Sequence, residues 1–158
     1  MAENGFTYLT QDRLLELEKE LNHLKTTGRK EVAQRIAEAR SHGDLSENAE
    51  YDAAKEEQTL LELKIAKMGA TLSRAQIIDS RNFTNSEVHI LSKVKIKNVV
   101  TSKVFEYTLV SPEEADFAVG KLSMTSPVGK GLMGKKLGEK FQITAPAGAQ
   151  EFEILDIA

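Results

Sequence analysis

The residues with the most specific chemistry are Asp44 and Glu47, two carboxylates three positions apart in the stretch Ser41-His42-Gly43-Asp44-Leu45-Ser46-Glu47-Asn48-Ala49-Glu50-Tyr51. If a helix begins at Asp44, both acids project from its first turn. Carboxylate oxygens are ligands for a hard divalent cation such as magnesium, whose octahedral shell needs more oxygens than two side chains supply. Such a pair is suited to completing a site that water, a substrate or another protein has already begun. A purely structural reading uses the same atoms. Asp44-Leu45-Ser46-Glu47 is a capping box in which Asp44 accepts from a first-turn amide and Glu47 reaches back, stabilising a helix by about 1 kcal/mol. The two readings are compatible, because capping bonds can be exchanged for metal.

Flanking this stretch are two helical runs of nearly equal length, so it reads as the turn of a hairpin. Gly43 is placed to close the first helix in a left-handed conformation, and Asp44 to start the second. The first helix opens with Thr10 as N-cap, with Leu9 and Leu14 placed as a hydrophobic staple. Leu14, Leu17, Leu21 and Leu24 then alternate steps of three and four, the seam of a helix packed along another. Thr26-Thr27-Gly28 interrupts, and Val32, Ile36 and Ala39 resume with slipped phase, which predicts a bend or stutter near Gly28. The second helix keeps the spacing through Tyr51, Ala54, Gln58, Leu61, Ile65, Met68, Leu72 and Ala75, a coiled-coil pattern. Folded back antiparallel, the arms set Ile36 near Ala54 and Leu21 near Leu72 in a rod roughly 45 to 50 Å long at about 1.5 Å per residue. Alanines 39, 49, 53 and 54 keep the outer end slim, as entry into a narrow passage requires, although small residues also pack easily near a tight turn.

From residue 79 the pattern becomes that of strands, with 82–86 as a linking loop, so the chain divides into 1–78 and 79–158. Val88, Ile90, Val94 and Ile96 alternate with His89, Lys93, Lys95 and Lys97. Phe105, Tyr107 and Leu109 predict a second strand, Phe141 and Ile143 a third, Phe152 and Ile154 a fourth, and Leu122 to Met124 supply a candidate fifth. Ser126-Pro127 predicts a helix N-cap with proline at the first position, and the glycines at 129, 131 and 134 are expected to end that helix. The fold class is α+β: a helical hairpin followed by a small antiparallel sheet with a short helix.

Composition narrows the function. The chain has 158 residues, 41% of them hydrophobic and none of them cysteine, which excludes disulfides, thiolate nucleophiles and cysteine-zinc sites and fits a cytosolic protein. No apolar run is long enough to cross a bilayer and the amino terminus lacks a signal-peptide pattern, so a soluble, intracellular chain with no membrane partner is expected. The net charge of −3 gives no bulk attraction to nucleic acid. Gly129-Lys130-Gly131 lacks the spacing and preceding strand of a phosphate-binding loop. His23, His42 and His89 have no ligand spacing, and no serine sits in a nucleophile elbow. A self-contained active site is not expected.

The residues carry a resemblance to a known family. Ile36-Ala37-Glu38-Ala39-Arg40, Gly43-Asp44-Leu45-Ser46-Glu47-Asn48-Ala49-Glu50-Tyr51 and Ala53-Ala54-Lys55-Glu56 resemble the hairpin tip of the bacterial transcript cleavage factors of the GreA/GreB family, closer to its GreA branch. Glu114-Ala115-Asp116-Phe117 and Ser126-Pro127-Val128-Gly129-Lys130-Gly131-Leu132-Met133-Gly134 resemble its carboxy-terminal signatures, and length and order agree from end to end. The resemblance implies a coiled-coil hairpin inserted through the secondary channel of bacterial RNA polymerase and a carboxy-terminal domain of FK506-binding-protein-like fold docked on the channel rim. The family's metal-chelating acids fall on Asp44 and Glu47, which would hold the weakly bound second Mg2+ of the polymerase active site; the free protein would bind none tightly. Its RNA-contacting basic patch, directed at the backtracked nascent RNA 3′ end, falls on Arg40 and Lys55. Lys55 stands where GreA often has arginine, which retains a phosphate contact but not a bidentate or stacking one. Ser46 stands where many relatives have lysine.

The implied function is an elongation factor that is not itself an enzyme but activates the polymerase's own nuclease and so releases arrested complexes. For Arg40 and Lys55 the structural alternative is a solvated helix flank; Tyr51 is expected to pack beneath the turn. Asp116, Phe117, Ser126 and Pro127 are candidates for the rim contact, against which a buried Phe117 and an N-capping Ser126 account for the same residues structurally. Two other functions compete: a channel-binding inhibitory regulator of the same fold, and a prolyl isomerase built on the second domain, which would need an aromatic pocket that a chain without tryptophan is poorly supplied to make. A monomer is the simpler expectation, since the hairpin seam is satisfied within one chain.

Overall fold

The computed structural model describes residues 5–43, 48–79 and 84–158. The chain separates into two compact units, one of residues 11–75 and the other formed by residues up to Thr10 together with those from Gln76 onward.

The first unit is a helical hairpin. Helix α1 (Gln11–His23) follows Thr10 directly, and α2 (Arg29–Ser41) is joined to it by a π-helical turn, Leu24–Gly28. The expected stutter is thus a π turn, whose extra residues rotate the apolar stripe without breaking the helix. Gly28 has ordinary helical torsion angles, φ −60° and ψ −48°, and a Cβ there would meet the Leu61 side chain at 3.4 Å, an ordinary contact. Helix α3 (Ala49–Ser73) runs back along α2. As polar partners advance along α2 and its cap from Arg29 to Arg35 to His42, those on the return arm retreat from Glu62 to Glu57 to Glu50, which fixes the packing as antiparallel. The seam lies where the three-four spacing put it. Leu17, Val32, Ile36, Ala39, Ala54 and Ile65 are buried, with Tyr51 and Leu61 packed on the cluster of Val32, Ile36 and Ala54.

The start of α3 corrects one expectation. The helix begins at Ala49 rather than Asp44, and its cap is Asn48, whose Oδ1 accepts from the Tyr51 amide at 3.1 Å. Asparagine caps as well as aspartate, and Glu50 and Asp52 place negative charge in the first turn, where the helix dipole favours it. Gly43 does close α2 with a positive φ of 105°.

In the second unit a two-stranded sheet joins β1 (Thr7–Leu9) to β2 (Ala75–Ile77). A division after residue 78 overlooks it. Ser111 accepts the Tyr8 amide at 2.8 Å, tying β1 to the same unit as the larger sheet. That sheet comprises β3 (Lys93–Asn98), β4 (Val104–Val110), β5 (Lys121–Ser123), β6 (Lys140–Ala145) and β7 (Gly148–Ile157), in the order β5-β4-β3-β7-β6. Pairing is antiparallel except between β4 and β5, which run parallel, so the expected all-antiparallel sheet is mixed. Val88 and Ile90 are buried as expected but stand outside β3, since Leu91 with φ 69° breaks the extended run.

Helix α4 (Pro127–Leu132) covers one face of the sheet, N-capped by Ser126. Gly129 and Gly131 lie within it rather than ending it, while Gly134, with φ 78°, follows its C-cap Met133 as a helix stop would. A Cβ on Gly129 would lie 2.1 Å from the Ser123 carbonyl oxygen and one on Gly131 2.9 Å from the Phe141 ring, so both permit close packing. Val94, Ile96, Leu109, Leu132 and Ile154 are almost wholly buried here, each stabilising the fold by about 1.5–3 kcal/mol. The α+β class and the sheet with one short helix agree in outline with the expected FK506-binding-protein-like architecture.

Candidate functional site

Asp44 and Glu47 lie outside the described residues, so the site is built from the two helix ends that flank them. Asn48 spans these ends. While its Oδ1 caps α3, its Nδ2 donates to the Ala39 carbonyl in the last turn of α2 at 2.7 Å. Aspartate could cap but could not donate, whereas the asparagine amide carries acceptor and donor on separate atoms that reach the two helix ends. Tyr51, one turn into α3, packs half-buried on the hairpin core as expected. Its ring faces the Arg40 guanidinium, with Cζ 5.9 Å from the ring centroid, within cation–π range.

Two faces of the outer hairpin carry different charge. On one, Arg35 pairs with Glu57 and His42 with Glu50 (3.2 Å), beside Glu38. On the other, Arg40 and Lys55 line one shallow groove with Ala33, Ile36, Ala37 and Gln58. The Lys55 ammonium donates to Gln58 Oε1 at 2.8 Å. Among the described residues neither Arg40 nor Lys55 is paired with a carboxylate, and both are exposed. The structure therefore brings Arg40 and Lys55 together, from opposite arms, on one side of the tip.

Among the described residues no group of three or more histidines, aspartates and glutamates could hold a metal. Asp44 and Glu47, the carboxylates expected to hold magnesium, lie outside those residues; two carboxylates suit the ion's chemistry only where other molecules complete its shell.

Farther from the tip, Arg29 makes a two-pronged ion pair with Glu62, at 2.9 and 3.0 Å. The hydrogen bond from Arg29 holds the Glu62 carboxyl below its ordinary value, and Glu62 in turn raises the arginine.

The other candidates lie in the sheet unit. Asp116 caps a short 3-10 turn, Phe117–Val119, by accepting from the Ala118 amide at 3.1 Å, and its backbone bridges Lys121 at the start of β5. Phe117 is 74% exposed and Val119 66%, so the structural account that buried Phe117 fails. The Phe117 ring touches solvent on one side and Tyr107 on the other, 6.0 Å between centroids; burial raises the Tyr107 hydroxyl above its usual pKa. Ser126 is engaged in folding: its hydroxyl accepts from the Gly129 amide at 3.1 Å and donates to the Ser123 carbonyl at 2.7 Å. Pro127 is exposed beside it. The two pairs stand beyond opposite ends of β5, so Asp116–Phe117 and Ser126–Pro127 are separate features.

Sequence reasoning missed the cross-link by Asn48. Its signal was an asparagine directly before Ala49-Glu50-Tyr51-Asp52, which competed with the earlier capping box at Asp44.

Comparison with known proteins agrees with this organisation. The GreA/GreB family profile described as "Transcription elongation factor, N-terminal" matches residues 7–77, and that described as "Transcription elongation factor, GreA/GreB, C-term" matches residues 84–158. The chain is 55% identical over 152 residues to transcription elongation factor GreA of Amoebophilus asiaticus, covering 96% of this chain and 97% of that protein. It is 52% identical over 151 residues to the factor of the same name from Flavobacterium johnsoniae, covering 96% of each. Among solved structures, Gfh1 of Thermus aquaticus is 27% identical over 96% of this chain and 97% of that one, with a TM-score of 0.45. The chain belongs to the GreA/GreB family of transcription elongation factors.

Proposed function

We propose that this factor acts inside bacterial RNA polymerase, where its hairpin enters the secondary channel and stimulates cleavage of the backtracked RNA 3′ segment. The observation that carries the proposal is the pair Arg40 and Lys55, exposed on one groove beside the tip and not neutralised by any carboxylate among the described residues. Two such cations attract phosphates at close range, while a net charge of −3 keeps the chain from binding nucleic acid indiscriminately. Arg40, steadied over the Tyr51 ring, and Lys55 would hold the displaced RNA backbone at the end of the hairpin.

Asp44 and Glu47 would complete the coordination of a magnesium ion that the polymerase holds only weakly. That ion, when bound, lowers the pKa of an attacking water, in the manner of two-metal phosphodiester hydrolysis. The contribution of this chain is positional: carboxylates supply oxygen ligands, the basic pair orients the phosphate, and the polymerase remains the nuclease. In the sheet unit, the exposed Phe117 supports a docking role on the channel rim, with Asp116 holding the turn that presents it. Ser126 acts there as scaffold and Pro127 as a flanking surface residue.

The test is RNA length in stalled, backtracked polymerase complexes with magnesium. Shortening from the 3′ end on addition of the factor supports the proposal. Slowed elongation without shortening would replace it with an inhibitory regulator.

A further inference from the structure

The geometry assigns Asn48 as a positioning residue for Arg40, a role that rests on the proposed contact of Arg40 with RNA. Its side chain joins two points on either side of that arginine. Nδ2 holds the carbonyl of Ala39, the residue immediately before Arg40, and Oδ1 holds the amide of Tyr51, whose ring faces the Arg40 guanidinium. Arg40 is thereby fixed at both ends, by its backbone through Ala39 and by its charged group through Tyr51. The Ala39 carbonyl also receives the His42 amide, at 3.2 Å, so the asparagine bond adds to the α2 end without being needed to satisfy that oxygen. Capping of α3 needs only the Oδ1 half of the side chain. The Nδ2 half is therefore left for alignment across the gap between helices, and it sets where Arg40 stands relative to Lys55 on the shared groove.

This separation makes the role testable. Asn48→Asp keeps an acceptor for the Tyr51 amide and removes the donor, and Asn48→Ser keeps the acceptor on a shorter side chain with no separate amide to reach the Ala39 carbonyl. Both variants should remain folded and melt only slightly below the wild type, yet each should slow 3′ cleavage in backtracked polymerase complexes by about fivefold, the effect of one lost hydrogen bond. In an Arg40→Ala background neither should slow cleavage further, because the residue they position is gone. The displacement of the Arg40 side-chain proton resonances by the Tyr51 ring current should also shrink in both variants of the free factor. Wild-type cleavage rates in both, or full additivity with Arg40→Ala, would overturn the assignment. If the wild type itself does not promote cleavage, the proposed function fails, and the ring-current shift still decides the alignment: an unchanged shift overturns it and a diminished one upholds it.

Discussion

The hairpin and the sheet unit are stabilised in different ways. Among the described residues the sheet core joins eleven buried side chains from several strands and a helix. The cluster near the hairpin end joins three, Val32, Ile36 and Ala54, with Tyr51 and Leu61 packed on it. A two-helix rod has one buried stripe and no second layer, so its outer end relies more on its cap and cross-link than on core, with solvent-exposed pairs such as Arg35–Glu57 adding little. The difference suits the proposed division of labour in which the sheet unit docks and the hairpin reaches. Slimness at the reaching end sacrifices core, and Asn48 is the local compensation.

Breaking each unit at its core should show the contrast most strongly. Leu132→Ala, at a site with no solvent exposure, should destabilise the sheet unit by about 3–4 kcal/mol, read as a fall in its thermal midpoint. Ile36→Ala should cost the hairpin less, about 2 kcal/mol, because the surrounding seam is thin and can relax or admit water. Followed by amide exchange, each substitution should act on its own unit; loss of protection in the other unit would contradict the division.

A smaller effect separates cap from core. Asn48→Ala removes the acceptor as well as the donor and should cost about 1–2 kcal/mol, confined to exchange near the hairpin end. The Arg29–Glu62 pair should contribute less still, because it is open to solvent. With the Glu62 carboxyl held below its ordinary value of 4.5, its contribution is present at neutral pH and lost as pH falls through that lowered range. Glu62→Gln should therefore melt slightly below the wild type at pH 6, with the difference closing under strong acid. A gap that widened in acid would reverse the assigned sign. Phe117→Ser should change stability least, within about 0.5 kcal/mol, while weakening polymerase binding roughly tenfold or more if it is a docking anchor. Unchanged binding would remove Phe117 from the interface.

The same contrast governs how much could be read from the sequence. The hairpin seam was legible because three-four spacing persisted over two long arms, and even its π turn showed as a phase slip at Thr26-Thr27-Gly28. The strands of Lys93–Asn98 and Val104–Val110 were legible from alternation, but the parallel direction of β5 was not, since three residues carry no signal of which way they pair. The β1–β2 sheet escaped for the same reason of length. At the site, Arg40 and Lys55 were paired by the family resemblance, and the structure sets them on one groove. The placement of the cap was not legible, because Asp44 and Asn48 both satisfy the local rules and only the bond to Ala39 favours the second. Phe117 was weighed as a core aromatic on hydrophobicity alone, which cannot distinguish a buried ring from one held outward by a capped turn.

The proposed function has the hairpin end supply carboxylates to a reaction carried out by the polymerase. It is tested most directly by RNA length in backtracked complexes with magnesium, comparing the wild type with Asp44→Ala plus Glu47→Ala after both are shown to fold and to bind polymerase. Loss of 3′ cleavage with binding intact is the predicted result. Undiminished cleavage by the double variant would contradict it.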